Sequence, residues 1–527
     1  MTGRWFKRVT GCVASLVLAA GFGVVTAQPA MAAACPSNVV GDINGDGHAD
    51  AAIGELGEAS MPGAVHILYG TQGGLVANAS GAAREDQLFT LDTDGVPGTA
   101  EAGDLFGDST VLADFNGDHC ADLAVGDDGG TVQGGKPETG FVVVLYGSTA
   151  GITTDAAQLL SEDSLFGTGS GQNGEGFGGA LTSGDLNDDG YPDLVVGAPS
   201  ESVGGVHGGG VAVIYGSASG LNQGSTPAVL VTQDTPGVPD TPEGGDTFGN
   251  ALAAGDFDGD GVNDLAVGNF GENDYGIVEV IPGAAGTGLN PAAAASFSQN
   301  TTGVPGSSEV GDGFGFALSA GDVTGDGRAD LAIGVEGENG GAGAVNLLRG
   351  SPTGLTGSAA QSWSQNTAGV AGIAGSNDGF GAALVMARLD SGSLVDLAIG
   401  TPGDSIGSVR NAGSVTILLG RSTGLSTAGA GGERITQDTP GLPNTPERGD
   451  EFGFPLAAPL VQTPDQASLL IGVPGETING VSEAGLVHQL ATNSAGPSTS
   501  GSKTFDQSSP GVKGDPVDFD QFGFSLS

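Results

Sequence analysis

Basic residues are scarce. Fourteen Lys and Arg stand against 61 Asp and Glu in 527 residues, a formal charge of −47. That balance excludes nucleic acid as a partner, because phosphate binding draws on dense cationic side chains. Aromatics make up 5% while glycine supplies 101 residues, which excludes a conventional helical protein. After the amino terminus no apolar run is long enough to span a bilayer. Cysteine is nearly missing, with three in the chain. Hydrophobic content of 38% and a slightly positive mean hydropathy still provide enough apolar surface to fold, so the excess acid needs a local explanation. Cations are its natural counterpart.

Arg4, Lys7 and Arg8 precede the apolar run 9–27, and the small residues 30–34 offer A-x-A cleavage sites, for example after Ala34. A secretory signal peptide over 1–34 is therefore expected, leaving a mature chain 35–527 that is secreted and extracellular or cell-surface associated. An uncleaved anchor is the alternative, and the short, Gly-broken run argues against it. Cys12 leaves with the leader. Cys35 and Cys120 then remain in an oxidising exterior, where a disulfide would tie the mature start to the second repeat. Lipidation of Cys35 is the other option, although Ala32, Ala33 and Ala34 lack the larger aliphatic residue of a good lipobox.

What is present is repetition. Residues 313–338 hold a strand-like run, an acidic turn and a short buried strand, and copies recur along the chain. The turns comprise Asp42, Asn44, Asp46 and Asp50; Asp114, Asn116, Asp118 and Asp122; Asp185, Asn187, Asp189 and Asp193; Asp256, Asp258, Asp260 and Asp264; and Asp322, Thr324, Asp326 and Asp330. Oxygen-bearing side chains on alternate residues can curl around a hard cation that takes about six to eight oxygens, in the manner of Ca²⁺. In the sixth copy Arg388, Asp390, Gly392 and Asp396 occupy these positions, so that site is expected to be empty. In the seventh they are Leu460, Gln462, Pro464 and Ser468, and the site is lost.

Phe-Gly pairs begin at Phe106, Phe177, Phe248, Phe314, Phe380, Phe452 and Phe522, in steps of 71, 71, 66, 66, 72 and 70 residues. A fixed period means stacked supersecondary units, and four short strands fit within about seventy residues. The first acidic turn has no Phe-Gly strand just before it, and the last Phe-Gly strand has no acidic turn after it. The predicted fold is therefore all-β, a seven-bladed β-propeller of four-stranded antiparallel blades, with 521–527 completing blade 1. A fragment cut from a longer open array is the alternative.

The Phe-Gly strand, the acidic turn and the literal Gly197-Ala198-Pro199, repeated in order, resemble FG-GAP repeats, the units of the integrin α-chain amino-terminal propeller. The likeness covers nearly the whole mature chain. Residues 298–301 (Ser-Gln-Asn-Thr) and 436–439 (Thr-Gln-Asp-Thr), each with a downstream Gly-Asp-x-Phe-Gly, are similar to secreted bacterial members. The resemblance implies Ca²⁺ in the turn between the first two strands of a blade, and extracellular recognition or adhesion. It does not extend to integrin leg domains, transmembrane helix or tail, so integrin-type signalling is not implied. Side chains one, three, five and nine of each turn would bind, with the backbone carbonyl of the seventh, namely His48, Cys120, Tyr191, Val262 and Arg328.

Five turns qualify, giving about five Ca²⁺ sites with sixteen carboxylates whose mutual repulsion an ion would relieve. Glycine at the sixth position permits positive φ, and His119 gives that up in the second turn. An EF-hand fails, because the twelfth position of the first turn is Ile53 rather than Glu and a strand follows. Ordinary Asp-Gly hairpins without metal are the bland alternative.

Other motifs carry less. The stretch 403–407, Gly-Asp-Ser-Ile-Gly, matches a nucleophile elbow but joins two expected blade strands instead of opening a helix. His48, His66, His119, His207 and His488 show no paired spacing and read as surface or turn residues. Gly-rich 167–174 reads as a loop. Arg448-Gly449-Asp450 falls in a Glu-x-Gly-Asp frame that recurs from Glu101, Glu243 and Glu309 with the Arg position varying freely, which marks the tripeptide as a by-product. Asn78 and Asn300 open glycosylation sequons.

The functional expectation is a secreted, monomeric Ca²⁺-binding propeller that recognises an extracellular protein or carbohydrate. A secreted hydrolase or lyase on a loop-built face, and a non-catalytic envelope or matrix component, are the alternatives.

Overall fold

A computed structural model describes residues 34–57, 62–77, 85–131, 139–429, 431–463 and 466–527. The expected leader before Ala34, Asn78 and Pro464 lie outside the described residues. Among the described residues seven antiparallel blade sheets are formed, with four consecutive strands in order in all but the first, and a separate two-stranded sheet pairs Ser202–Val203 with Val206–His207. Blades 2 to 5 run Thr110–Ala113 to Thr153–Leu160, Ala180–Gly184 to Val229–Val231, Ala251–Gly255 to Ala295–Phe297, and Phe314–Gly321 to Thr356–Trp363. Blade 6 runs Ala383–Ala387 to Glu433–Ile435 and adds a short strand, Gly424–Ser426; blade 7 runs Leu456–Ala457 to Gly496–Phe505. Blade 1 joins both ends of the chain. Its strands Ala51–Glu55, Ala64–Leu68 and Gln87–Phe89 are completed by Ser525–Leu526, with Ile53 opposite Leu526 and Gly54 opposite Ser525. The fold is a closed seven-bladed β-propeller.

Within a blade the second and third strands, such as Asp122–Asp127 and Phe141–Tyr146, are buried along their whole length. Their continuous β-branched and apolar runs suit strands covered on both faces by neighbouring blades. First strands are half-buried and pack against one another around the axis. The core lies between blades: one cluster joins Ala51, Ile53 and Leu68 of blade 1 to Leu470 and Val487 of blade 7 through Phe522.

The Phe-Gly pair differs from expectation. In six blades it precedes the first strand instead of lying within it, and only Phe314 begins its strand, where a bulge follows. All seven phenylalanines are fully buried, each burial contributing about 2–3 kcal/mol. The glycines explain the rest of the repeat. A Cβ on Gly54, Gly126, Gly197, Gly268, Gly334, Gly400 or Gly472 would lie 2.0–2.5 Å from the carbonyl oxygen of the Phe-Gly glycine in the next blade. The contact recurs at all seven seams, including Gly472 against Gly523, so no side chain is tolerated where blades meet.

Cys35 and Cys120 form a disulfide with Cα atoms 5.1 Å apart, which occupies the thiol that lipidation would need. Two of the five histidines correct the sequence reading. His66 and His488 are fully buried in the third strands of blades 1 and 7, whereas His119 and His207 are exposed and His48 is half-buried.

Candidate metal centre

Each acidic turn joins the first strand of a blade to the second and is held by its own side chains. The first carboxylate gathers the turn's backbone. In blade 4, Asp256 Oδ1 accepts the N–H of Gly259 (2.6 Å) and Asp260 (3.1 Å), and Oδ2 accepts that of Gly261 (2.9 Å). Asp42, Asp114, Asp185 and Asp322 do the same in their turns. The fifth carboxylate accepts from the seventh residue: Asp46 from His48, Asp118 from Cys120, Asp189 from Tyr191, Asp260 from Val262 and Asp326 from Arg328, at 2.9–3.1 Å. Among the third residues, Asn116, Asn187 and Asp258 accept from the fifth N–H, Asn44 donates to Asp50, and the Thr324 hydroxyl donates to Asp322. This winding needs positive φ at the sixth position. Gly47, Gly190, Gly261 and Gly327 adopt 85–94°, and His119 is forced to 67°.

The ninth carboxylate has a role that spacing did not reveal. Asp264 accepts the N–H of Phe257 (3.0 Å) on one oxygen and that of Gly283, at the end of the third strand, on the other (3.0 Å). Asp50, Asp122 and Asp193 repeat this staple. Asp330 accepts from Gly350 and from Arg349 Nε, both on Oδ1. The partner glycine lies 19 to 25 residues downstream, beyond any local motif.

The turns also meet one another. The carbonyl of the first residue accepts the N–H of the eighth residue in the next turn: Asp42 from Ala121, Asp185 from Asn263, Asp256 from Ala329, Asp322 from Val395, Arg388 from Ala467 and Leu460 from Ala49. The seventh link, from Asp114, is missing because its partner position is Pro192, which has no N–H. Beside that gap, residues 38–41 with Leu112, His119 and Pro192 line a cavity of about 250 Å³.

Crowding makes the acids costly. Burial raises Asp50 and Asp122 well above the usual carboxylate range, with the neighbouring turn carboxylates adding to it. Asp193 is pushed up to about 7 and Asp264 to about 6, again chiefly by burial. The donors fit a hard cation. One oxygen from each of Asp256, Asp258 and Asp260 lies within 4.8 Å of the others. Asp118 Oδ2 and Asp330 Oδ2 are buried and receive no hydrogen bond. Among the described residues no backbone N–H donates to the carbonyls of His48, Cys120, Tyr191, Val262 or Arg328. The sites are all oxygen, which suits Ca²⁺ and not a soft metal.

The other motifs fall away from chemistry. Asp404 of 403–407 sits in a turn, bonded to Gln365, Ser414 and Arg434. Asp450 of the Arg-Gly-Asp tripeptide is 1% exposed and holds the Glu447 N–H, so its carboxylate is not presented outward. Among the described residues no helix is long and apolar enough to cross a membrane.

Residues 106–145, 177–214, 248–287 and 314–348, in blades 2 to 5, match the FG-GAP repeat. Human phosphatidylinositol-glycan-specific phospholipase D is 39% identical over 166 residues, 30% of this chain and 18% of that protein. Integrin alpha-PS2 of Drosophila melanogaster is 33% identical over 257 residues, 47% of this chain and 16% of its own. Integrin alpha-3 of Cricetulus griseus is 34% identical over 178 residues, covering 33% and 15%. The chain thus spans less than a fifth of the length of these relatives.

Proposed function

Because the chain is built of FG-GAP repeats in an integrin-α-like propeller, we propose that it is a Ca²⁺-binding extracellular module for ligand binding or cell adhesion. Secretion would follow removal of residues 1–34, leaving 35–527 as the mature propeller. The observation that carries this reading is the convergence of Asp256, Asp258 and Asp260, in a turn design that recurs in five consecutive blades. Ca²⁺ would neutralise each turn through side chains one, three, five and nine and the seventh carbonyl. The ring of turn-to-turn hydrogen bonds would then be stiffened as a unit. A rigid rim leaves the loops free to vary, and variable loops on a rigid scaffold are where recognition is built. The expected ligand is an extracellular protein or carbohydrate, bound by a monomer. Likeness to secreted bacterial members rests on residues 298–301 and 436–439 alone.

A second reading, a secreted hydrolase, draws on the relative named as a phospholipase D, matched over 18% of its length. The test separates the two. Mature protein with 1 mM-range Ca²⁺, about the affinity of extracellular calcium modules, is passed over immobilised matrix proteins and polysaccharides and is separately assayed against phospholipid and ester substrates. Saturable binding that chelator abolishes, with no turnover, is the expected result. Turnover without saturable binding would replace adhesion with catalysis.

A further inference from the structure

Each blade-to-blade crossing begins with a short hydrogen-bonded turn in which a Ser, Thr or Asp N–H donates to a hydroxyl three residues on. Examples are Thr232 to Thr235, Ser298 to Thr301, Ser364 to Thr367, Thr436 to Thr439, and Asp506 to Ser509. The second residue of these five turns is glutamine. Its amide donates to a carboxylate of a neighbouring loop: Gln233 to Glu272 (2.8 Å), Gln299 to Glu338 (2.6 Å), Gln365 to Asp404 (3.1 Å), Gln437 to Glu476 (2.6 Å) and Gln507 to Glu55 (2.7 Å). The crossing between blades 2 and 3 forms the same turn, Ser161 to Ser164, but its second residue is Glu162. A carboxylate stands where the repeat places an amide donor.

Its surroundings are acidic as well. Glu162, Glu175 and Glu201 are 3%, 0% and 6% exposed, and one oxygen of each lies within 4.8 Å of the other two. Glu175 has both oxygens engaged, by the N–H groups of Ser202 and Gln172. Glu162 Oε1 and Glu201 Oε2 are buried and receive no hydrogen bond. Among the described ion pairs, no Lys or Arg reaches them. Blade 4 shows what a relieved cluster looks like. Glu243, Asp246 and Glu272 also converge, but Glu272 is fed by the amides of Gln233, Asn269 and Asn273. Three buried carboxylates, two of them with an oxygen that receives no hydrogen bond, are held together only by a counter-charge or by protons.

We propose that Glu162, Glu175 and Glu201 bind one hard divalent cation, Ca²⁺ by their all-oxygen character, clamping the crossing between blades 2 and 3. The site is separate from the acidic turns: Asp193 opens the strand Asp193–Ala198 and Glu201 follows its far end. Waters and backbone carbonyls would complete the shell, as Ca²⁺ commonly accepts.

The decisive variant is Glu162→Gln, which installs the residue that five of the other six crossings carry, Leu91 standing in the sixth, and so keeps the fold. Bound Ca²⁺ per chain is counted by elemental analysis after equilibrium dialysis, and melting is followed with and without chelator. The variant is expected to bind one ion fewer than the parent and, in chelator, to melt at a higher temperature. Glu201→Gln should lose the same ion. The difference of one is readable whether or not the turns bind, so failure of the turn sites leaves this test intact. Equal ion counts for parent and both variants would overturn the proposal, and with a higher melting point for Glu162→Gln would assign the cluster to shared protons instead.

Discussion

Blades 1 to 5 carry acidic turns and blades 6 and 7 do not, yet the described residues of those two turns keep part of the same closure. In blade 6, Arg388 and Gly392 replace two ligands, but Asp396 still staples Leu389 N–H (3.0 Å) to Gly420 N–H (2.8 Å). In blade 7, Leu460 and Ser468 carry no charge, and the turn keeps its links to both neighbours through the Leu460 carbonyl and the Ala467 N–H. The strands, the interblade glycines and the ring of turns are thus attainable without a cluster of acids. What blades 1 to 5 add beside their carboxylate-to-backbone hydrogen bonds is a mutual repulsion that a bound cation would relieve. The comparison gives the ninth position a structural role that does not depend on the other three acids, beside the ligand role proposed for all four.

The most forceful way to break this comparison is to remove the ion. Hydrogen exchange of the mature protein in excess chelator should accelerate in turns 42–50, 114–122, 185–193, 256–264 and 322–330, while 388–396 keeps its rate. An ion held at about a hundred times its Kd stabilises by about 2.7 kcal/mol, so each turn should exchange about a hundredfold faster, and melting should fall as the five losses combine. Uniform acceleration over all the turns, or none, would dissolve the distinction.

The ninth position sharpens it at single residues. Asp264→Ala and Asp396→Ala each strand two buried or part-buried N–H groups, at about 1–3 kcal/mol apiece, so both should lose about 2–6 kcal/mol by urea unfolding in chelator. On adding Ca²⁺ the parent and Asp396→Ala should gain equally, and Asp264→Ala should gain less. A reduced Ca²⁺ response in Asp396→Ala would mean that blade 6 also holds an ion.

The extent of what could be read from sequence follows from distance along the chain. The repeat period, the turn ligands and the strain at His119 are local patterns, and ring closure follows from complementary ends, so each was legible. The staples were not, because Asp264 meets Gly283 only after two strands have paired. Nor was the Glu162 cluster, whose members converge across two blades and stand out only once Gln233 and its counterparts are seen donating to Glu272 and its counterparts. His66 and His488 were misplaced for another reason. A strand buried on both faces has no polar side for a histidine to mark, so polarity in sequence gave the wrong sign.

Those two histidines offer the finest contrast between the halves, since they hold the same register position, opposite Ile53 in blade 1 and Ile471 in blade 7. His66 is flanked by Asp86 (3.0 Å) and Glu55 (3.4 Å), with Phe522 edge-on. Burial pulls its pKa down, but the two carboxylates outweigh burial and raise it to about 9. Among the described residues His488 has one hydrogen-bond partner, the Thr504 hydroxyl, with the Phe452 ring tilted against it, and burial lowers it to about 4. The signs therefore oppose. His66 is charged in the fold, so its stabilisation is complete below the unfolded value of about 6.5 and disappears as pH rises through 9. His488 is neutral in the fold, so its contribution is complete above about 6.5 and is lost as pH falls through 4. Each window amounts to about 3 kcal/mol at most. Unfolding free energies of His66→Gln and His488→Gln, measured against the parent from pH 4 to 9, should differ from it with opposite slopes, the first converging toward the parent in alkali and the second in acid. Parallel slopes would show that the carboxylates beside His66 do not hold its proton.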